Sequence, residues 1–246
     1  METRNDASQG ASYTPGPPRA FVVGVRSFRR LSLAPDDFDA TVAAWLASRD
    51  EPAYRLDQLR NWIYAQRAEA WSEMTTLSKD LRAALEESFR FPSVTLAEGR
   101  ESADGTQKYL WSLLDGESVV SVLIPSPDRD TFCVSSQAGC ALACSFCATG
   151  LLGYKRNLTV GEILDQVRKL LARREDRPYG VNLVFMGMGE PLLNWDNLRI
   201  ALAALIDPRH YDIGARRITV STVGVPDKIV ALGEEFPQVR LAVSLH

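Results

Sequence analysis

Three cysteines lie within one short segment, Cys140-Ala-Leu-Ala-Cys144-Ser-Phe-Cys147. Thiolates at this C-x3-C-x2-C spacing can share a tight loop and hold three irons of a [4Fe-4S] cluster, which leaves the fourth iron without a protein ligand. Gly139 and the small residues between the cysteines let the backbone wrap closely around such a cluster. The spacing therefore predicts an iron–sulfur cluster with one open iron.

An open iron suits the activation of S-adenosylmethionine (SAM). It can chelate the amino and carboxylate groups of SAM and pass one electron into the sulfonium, which breaks a carbon–sulfur bond and gives a 5′-deoxyadenosyl radical. The alternative is a closed tetrahedral zinc site with Cys133 as the fourth thiolate. Zinc sites usually pair two C-x2-C knuckles across a longer span, so the spacing favours the cluster.

A second motif, Gly187-Met-Gly-Glu-Pro191, directly follows the apolar run Val181–Met186. Glycines at the carboxyl end of a parallel strand let a ligand approach the backbone, and ligand sites of α/β proteins lie at such ends. Glu190 can accept hydrogen bonds from an ammonium group there, which predicts a clamp for the amino group of SAM. Polar residues that end the next two predicted strands should share this rim, namely Ser221, Thr222, Ser244 and His246.

Alternating helices and strands must position these motifs. Thr159 and Glu162 predict a capping box that opens a helix ending near Arg174. Further along we predict the helix Trp195–Ile206 and the strands Val181–Met186, Arg217–Thr222 and Gln238–Leu245. This alternation predicts parallel strands joined by crossovers. Only about four strand–helix units can be counted, too few for an eight-stranded barrel, so we expect an α/β fold with a partial (β/α) barrel in a chain cut short.

Two other zones precede the cysteines. Apolar residues at helical spacing predict three helices around a small core of Trp, Leu and Ile side chains: Asp36–Ala47, Arg55–Ala65 and Ser78–Ser88. Alternating residues on either side of Asp115-Gly116 predict a β-hairpin of Lys108–Leu113 and Ser118–Ile124. We therefore divide the chain into a disordered tail (1–30), an N-terminal helical domain (31–92), a β-hairpin extension with the first barrel strand (93–134) and the partial barrel (135–246).

Composition narrows the class of protein. Hydrophobic residues make up 46% and charged residues 24% of the 246 residues, which is ordinary for a globular protein with a sizeable core. The net charge of −3 argues against a uniformly basic nucleic-acid binder, although local pairs of basic residues can meet phosphates: Lys155-Arg156, Arg168-Lys169 and Arg173-Arg174. The clustering of all four cysteines predicts a metal site in a reducing compartment, the cytoplasm, rather than a disulfide framework. The apolar run Phe21–Val25 is too short to span a membrane.

From about Pro52 to its last residue, the sequence resembles the RlmN-type dual-specificity rRNA/tRNA adenine C2-methyltransferases, a radical SAM family, and the related adenine C8-methyltransferases. The resemblance rests on Cys133-Val-Ser-Ser-Gln-Ala-Gly-Cys140 with the cysteine triplet, Arg156-Asn-Leu158, Gly187-Met-Gly-Glu-Pro-Leu-Leu-Asn194, Ser221-Thr222 and Ser244-Leu-His246.

This resemblance implies a methyltransferase that modifies C2 of adenosine in 23S rRNA and tRNA through a methyl-cysteine. It implies a [4Fe-4S] cluster on Cys140, Cys144 and Cys147. It also implies a SAM site lined by Gly189, Glu190, Ser221, Ser244, Leu245 and His246. Cys133 would be catalytic, as the thiol that resolves a covalent protein–RNA intermediate by forming a disulfide with the methyl-carrying cysteine. The N-terminal helical zone would help grip RNA, and we expect a monomer with no membrane partner and an electron donor such as flavodoxin.

Two features depart from the family pattern. No cysteine follows Cys147, so the methyl-carrying residue is absent and we expect a fragment that does not complete methyl transfer. The family usually has a Glu four residues before Ile124, proposed as the base that removes the ring proton, whereas this chain has Val120, which cannot accept a proton. Glu117 is near, but a shift of three residues reverses the side-chain face of a strand. A radical SAM enzyme for another substrate and a non-catalytic zinc-stabilised RNA-binding module stay open as alternatives.

Overall fold

The structure is a computed structural model that describes residues 29–30, 35–91, 93–142, 144–174 and 180–245. Residues 1–28 of the predicted tail and the site candidate His246 lie outside this range. Within the range, no helix combines the length and the apolar character needed to cross a membrane. The predicted domain boundaries at 30/31, 92/93 and 134/135 stay predictions.

The N-terminal zone is helical, as predicted. Its helices are α1 (Pro35–Ala47), α2 (Tyr54–Arg60) and α3 (Lys79–Ser88). Strand β1 (Arg29–Arg30), the last two residues of the predicted tail, pairs in parallel with β2 (Phe89–Arg90). The predicted second helix ends early, since Asn61–Ala65 forms a π-helical turn in which Gln66 N donates to Asn61 O at 2.8 Å. The Ser78 side chain accepts a hydrogen bond from Leu81 N at 3.1 Å and so caps the start of α3.

These helices bury one core of their own. As predicted, this core consists of Leu, Ile and Trp side chains: Leu59, Ile63, Leu81 and Leu85 are buried, and the tryptophans at positions 45 and 62 pack against them. Fully burying a leucine side chain contributes about 1.5–3 kcal/mol to folding, so these residues are structural rather than a ligand surface.

Next comes an antiparallel meander of β3 (Val94–Glu101), β4 (Gln107–Leu113) and β5 (Ser118–Ile124). The predicted hairpin is present as β4 and β5. Strand β3 was not predicted, because its Ala, Glu and Gly residues have low strand propensity. It is the edge strand of the sheet, and its pairing with β4 holds it in place.

The remaining elements alternate as predicted. They are β6 (Thr131–Cys133), β7 (Gln137–Gly139), α4 (Ala148–Leu151), β8 (Tyr154–Asn157), α5 (Val160–Arg173), β9 (Asn182–Phe185), α6 (Trp195–Ile206), β10 (Ile218–Thr222), α7 (Pro226–Glu235) and β11 (Arg240–Val243). The capping box of Thr159 and Glu162 at the start of α5 is confirmed. One seven-stranded sheet runs in the order β11-β10-β9-β6-β5-β4-β3, and its first four strands are parallel. The result is a partial barrel with an antiparallel extension.

Alternation along the parallel strands separates a core face from a site face. Leu183 and Ile218 are fully buried in the cluster that also includes the apolar residues of α5 and α6. Cys133, Val184 and Thr219 are neighbours in register one position further along their strands, and therefore project from the opposite face. The sheet thus directs Cys133 away from the helices.

Candidate functional site

The carboxyl ends of β6 and β9 are joined by backbone hydrogen bonds. Met188 O accepts from Ser136 N at 2.9 Å and from Gln137 N at 3.1 Å, and Met188 N donates to Ser135 Oγ at 2.9 Å. The predicted glycine motif therefore lies directly beside the segment that leads into the cysteines. We call this joined edge, with the ends of β10 and β11, the rim.

The glycines of the motif are required by this packing. A Cβ added at Gly187 would lie 2.7 Å from Val134 O, and one at Gly189, where φ is +99°, would lie 2.4 Å from the Gln137 Cβ. Both distances are shorter than van der Waals contact allows. Close approach of two chain segments thus explains these glycines before any ligand is considered.

Glu190 is buried and ties β9 to β10. Its Oε1 accepts from Leu192 N at 3.0 Å and its Oε2 from Val223 N at 3.0 Å, while its own amide donates to Gln137 Oε1 at 2.9 Å. An ionised carboxylate has about four lone-pair positions, so both oxygens keep the capacity to accept from a further donor. The role of Glu190 as an amino-group clamp stays a prediction.

The next two strands end in the predicted polar pair. The Ser221 and Ser244 hydroxyls lie 3.3 Å apart, and Ser244 N donates to Thr222 O at 2.8 Å. Leu245 follows with 84% of its surface exposed. The structure therefore brings Gly189, Glu190, Ser221 and Ser244 onto one rim, as the sequence predicts.

The three clustered cysteines lie in the loop between the antiparallel strands β7 and β8. Cys140 N donates to Gly153 O at 3.2 Å, and Cys147 N donates to Cys144 O at 3.0 Å. All three thiols are free and half-buried. Gly139 closes the base of this loop with φ at +75°, where an added Cβ would lie 1.8 Å from Gly153 O. Only glycine fits there.

Cys133 is also a free, half-buried thiol, in the middle of the sheet. Its register partners are Val122 on β5 and Val184 on β9. Burial raises the pKa of the Cys133 thiol above its usual range, so this group is protonated at neutral pH. A protonated thiol is a weak nucleophile, so any exchange chemistry at Cys133 requires prior loss of its proton.

Comparison with family models matches two parts of the chain. Residues 37–90 match the ribosomal RNA large subunit methyltransferase N-terminal domain, and residues 134–246 match the radical SAM superfamily. The chain is a member of the RlmN-type radical SAM family.

Individual relatives agree with this assignment. The probable dual-specificity RNA methyltransferase RlmN of Gemmatimonas aurantiaca is 49% identical over 88% of this chain and 60% of that protein. The dual-specificity RNA methyltransferase RlmN of Solidesulfovibrio magneticus is 49% identical over 82% of this chain and 58% of that protein. A crystal structure of a radical SAM methyltransferase from Sphaerobacter thermophilus superposes with a TM-score of 0.80 at 42% identity, over 85% of this chain and 62% of that one. The chain spans about 60% of the length of the curated relatives it matches.

Radical SAM proteins use a [4Fe-4S] cluster and SAM, and the cysteine loop of this RlmN-type chain offers suitable donors. Three free thiols share one loop, which is the donor set of a cluster with one open iron. Among the described residues, no three Cys, His, Asp or Glu side chains stand close enough to hold a metal ion. Ala143, between two of the cysteines, lies outside that range. The fit therefore rests on donor chemistry and on the loop that carries the donors.

Buried amides beside the rim were missed by sequence reasoning. Gln166 Oε1 accepts from Ser135 N at 2.9 Å and from Ser121 Oγ at 2.8 Å, and Asn194 Nδ2 donates to Ser136 O at 2.8 Å. These contacts hold the segment before the cysteines against α5 and α6. The sequence offered one signal, because Gln166 lies on the apolar face of a predicted helix. A polar side chain buried at such a position needs hydrogen-bond partners.

Arg156, one of the predicted phosphate contacts, instead forms ion pairs with carboxylates of this chain. Its guanidinium makes a bidentate pair with Glu162 at 2.8 and 2.9 Å, and its Nε donates to Asp115 at 2.5 Å. The pKa of Arg156 is raised, and its hydrogen bond to Glu162 contributes most to this increase. The arginine therefore joins β8 to the start of α5 and to the β4–β5 turn.

The pair Arg168-Lys169 is neither a phosphate contact nor a solvated helix face. Arg168 is buried, pairs with Asp165 at 2.8 Å and donates to Ala68 O. Lys169 is also buried and pairs with Glu69 at 3.2 Å. The expectation fails because the segment with Ala68 and Glu69, about one hundred residues earlier in the chain, covers this face of α5.

A cavity of about 470 Å³ lies at the opposite end of the parallel strands from the rim. Its lining includes Tyr64, Arg67 and Arg217, and none of the predicted site residues. In (β/α) barrels, residues at this amino-terminal end serve stability and the chemistry occurs at the other end. The rim and the cysteine loop therefore remain the candidate site of the RlmN-type chain.

Proposed function

We propose that this chain binds a [4Fe-4S] cluster and SAM and serves the methylation of C2 of adenosine in 23S rRNA and tRNA. The observation that carries the proposal is the position of the loop with Cys140, Cys144 and Cys147, which directly follows the segment joined to the Gly187–Glu190 motif. The substrate class follows from the relatives, which are named dual-specificity RNA methyltransferases.

Each group of residues has a distinct task in this proposal. The three thiolates of the loop bind the cluster, which when bound supplies the electron that cleaves SAM. Gly189 and Glu190 hold the amino group of SAM, and Ser221 and Ser244 present hydroxyls to its polar atoms. Leu245 and His246 complete the SAM site.

Cys133 would resolve the covalent intermediate with RNA, from the site face of the sheet on which it lies. The chain contains no cysteine after Cys147, so it lacks the methyl-carrying thiol that this step requires. We expect the chain to bind and cleave SAM without completing methyl transfer. A cytoplasmic location, a monomeric state and an electron donor such as flavodoxin belong to the same proposal.

Anaerobic reconstitution with iron and sulfide tests the proposal. We expect about four irons per chain and an electron paramagnetic resonance spectrum that shifts when SAM is added. Replacement of Cys140, Cys144 or Cys147 by Ala should remove the cluster, whereas Cys133→Ala should retain it. Stoichiometric zinc in a folded chain, with no response to SAM, would contradict the proposal and support the zinc-stabilised module.

A second measurement separates SAM cleavage from substrate choice. Release of 5′-deoxyadenosine from SAM by the reduced, reconstituted chain should depend on the three cluster cysteines. Cleavage that other compounds stimulate and 23S rRNA or tRNA do not would favour a radical SAM enzyme for a different substrate.

A further inference from the structure

A cavity of about 280 Å³ lies on the antiparallel extension of the sheet. Glu98 and Arg100 from β3, Lys108 and Leu110 from β4, and Val120 from β5 line it. Three of these five side chains are charged, although the cavity lies on a β-sheet face. None of them belongs to the cluster loop or to the rim.

A β-bulge in β3 directs the Glu98 carboxylate into this cavity. Leu96 pairs with Trp111, but the next pair is Glu98 with Leu110, so Ala97 is an extra residue in β3. Without the bulge, Ala97 would face Leu110 and Glu98 would project from the other side of the sheet. Bulges that redirect a side chain are common beside active sites.

The cavity shares the face of the sheet that carries Cys133. Cys133 pairs with Val122, Val122 with Lys108, and Lys108 with Arg100, which gives one row across four strands. Residues in such a row project to the same side. Neighbouring strands lie about 4.8 Å apart, so the Lys108 backbone is about 10 Å from that of Cys133. The charged cavity is therefore within reach of a substrate that also meets Cys133.

The lining combines three kinds of contact. Leu110 and Val120 are half-buried and form an apolar floor. Glu98 accepts a hydrogen bond from Arg100 at 2.5 Å, and both side chains are largely exposed, so neither is withdrawn from a ligand. Lys108 is exposed and forms no ion pair with any described residue. A nucleotide with an amino-bearing base can use all three contacts: an apolar surface for the base, an acceptor for the amino group and a cation for phosphate.

We propose that this cavity binds one nucleotide of the RNA substrate. An amino-bearing base lies against Leu110 and Val120 and donates its amino group to Glu98, while its phosphate is held by Lys108 with Arg100 alongside. This inference rests on the proposed function, because it takes the substrate to be RNA. It adds a selection rule, since adenine, cytosine and guanine carry the amino group and uracil does not.

Binding of short RNA to the reconstituted full chain tests the inference through fluorescence anisotropy. The two probes are a uridine-rich strand with one central adenosine and the same strand with purine riboside, which lacks the amino group. Glu98→Gln should reduce the preference for adenosine severalfold and leave purine riboside binding unchanged. Lys108→Met should weaken both probes about fivefold to tenfold and lower the salt dependence by about one ion.

The matched control variants make the same charge changes at positions outside the cavity. Glu101 lies on β3 three positions beyond Glu98, so it projects from the opposite face, and Glu101→Gln should bind both probes as the unmodified chain does. Lys228→Met, on α7, should do the same. Equal affinities of the unmodified chain for the two probes, no binding of either probe, or control variants that lose as much as the cavity variants would overturn the inference.

The same preparations separate this inference from the proposed function. Iron content and the SAM-dependent spectral shift are measured on every variant before RNA is added. A chain that forms no cluster contradicts the proposed function itself. A chain with a SAM-responsive cluster whose RNA binding ignores Glu98 and Lys108 overturns the nucleotide site alone.

Discussion

At the amino-terminal ends of the parallel strands, the RlmN-type chain is held by side chains from distant segments. Arg168 and Lys169 of α5 are buried and contact Ala68 and Glu69 of the N-terminal zone. Tyr64 packs edge-on against His210 with ring centroids 4.8 Å apart. At the carboxyl ends, backbone hydrogen bonds around Met188 and the buried side chains of Glu190 and Gln166 hold the rim. Large apolar side chains such as Leu151 remain exposed there.

This difference assigns separate tasks to the two ends. Buried ion pairs and aromatic contacts at the amino-terminal end stabilise the folded chain. Removal of one partner of a buried ion pair leaves the other charge uncompensated and lowers the free energy of unfolding. Backbone hydrogen bonds and buried polar side chains such as Glu190 hold the rim, while its outward surface stays free for ligands. Changes at the amino-terminal end should therefore alter unfolding, and changes near the cysteine loop should alter the bound cofactors. Barrel enzymes show this division generally.

The largest effect is expected for Gly139→Ala. The added Cβ would meet Gly153 O at 1.8 Å, so β7 and β8 could not close the cysteine loop. Reconstituted iron should fall to background. Gly153→Ala is the matched control, because its φ is +69° but nothing lies within 4 Å of the added Cβ. That variant should lose only about 1–2 kcal/mol and retain most of its iron. Full iron in Gly139→Ala would contradict the role of the loop.

Arg168→Met tests the amino-terminal end of the parallel strands. Its side chain is 1% exposed, and its guanidinium pairs with Asp165 and lies 4.6 Å from the Phe91 ring. The substitution therefore leaves the buried Asp165 carboxylate without this ion pair. We expect the free energy of unfolding in urea to fall by about 3–5 kcal/mol, with iron per folded chain unchanged. Arg199→Met removes an exposed pair with Glu235 and should lose less than about 1 kcal/mol. Equal losses in the two variants would contradict this account.

Glu190→Gln should affect both properties, because Glu190 is structural and lies at the site. The new amide offers one oxygen where the carboxylate accepts from two backbone N–H groups, at Leu192 and Val223. We expect a loss of about 1–3 kcal/mol in urea unfolding and a weaker spectral response to SAM. Glu234→Gln, on the exposed surface of α7, should change neither property. A variant that loses SAM response at full stability would show that the two backbone contacts contribute little.

The same contrast explains which features the sequence reveals. Helix α6 was predicted over Trp195–Ile206 and has those bounds, and the capping box at Thr159 is present, because periodicity and caps are local signals. The rim was predictable from its motif and its place after a strand. The bulge at Ala97 was not, because pairing across strands determines it.

Contacts between distant segments account for the other failures. Arg168 and Lys169 look like surface charges in the sequence, but contacts with Ala68 and Glu69, about one hundred residues earlier, accompany their burial. Strand β3 depends on its pairing with β4 more than on its own residues. The π-helical turn after α2 has no cue in an apolar pattern that continues through it. A single sequence carries little information on such contacts.

The smallest expected effect concerns pH at the amino-terminal end. The His210 side chain is buried, and burial lowers the pKa of its imidazole despite the Asp207 and Asp39 carboxylates at 3.6 and 4.0 Å. Because the folded pKa lies below the unfolded value of about 6.5, this stability is present above pH 6.5 and is lost as pH falls below it. His210→Phe should remove this slope and keep the ring contact with Tyr64.

Urea unfolding of both chains between pH 7.5 and pH 5.5 measures this slope. We expect the unmodified chain to lose up to about 1 kcal/mol more than His210→Phe over that range. Asp207 does not confuse the comparison, because hydrogen bonds from Arg209 lower its pKa to about 2, below the range. Parallel pH profiles would show that His210 binds its proton equally well in the folded chain. A change in the SAM-dependent spectrum of the variant would instead show that the two ends of the strands are coupled.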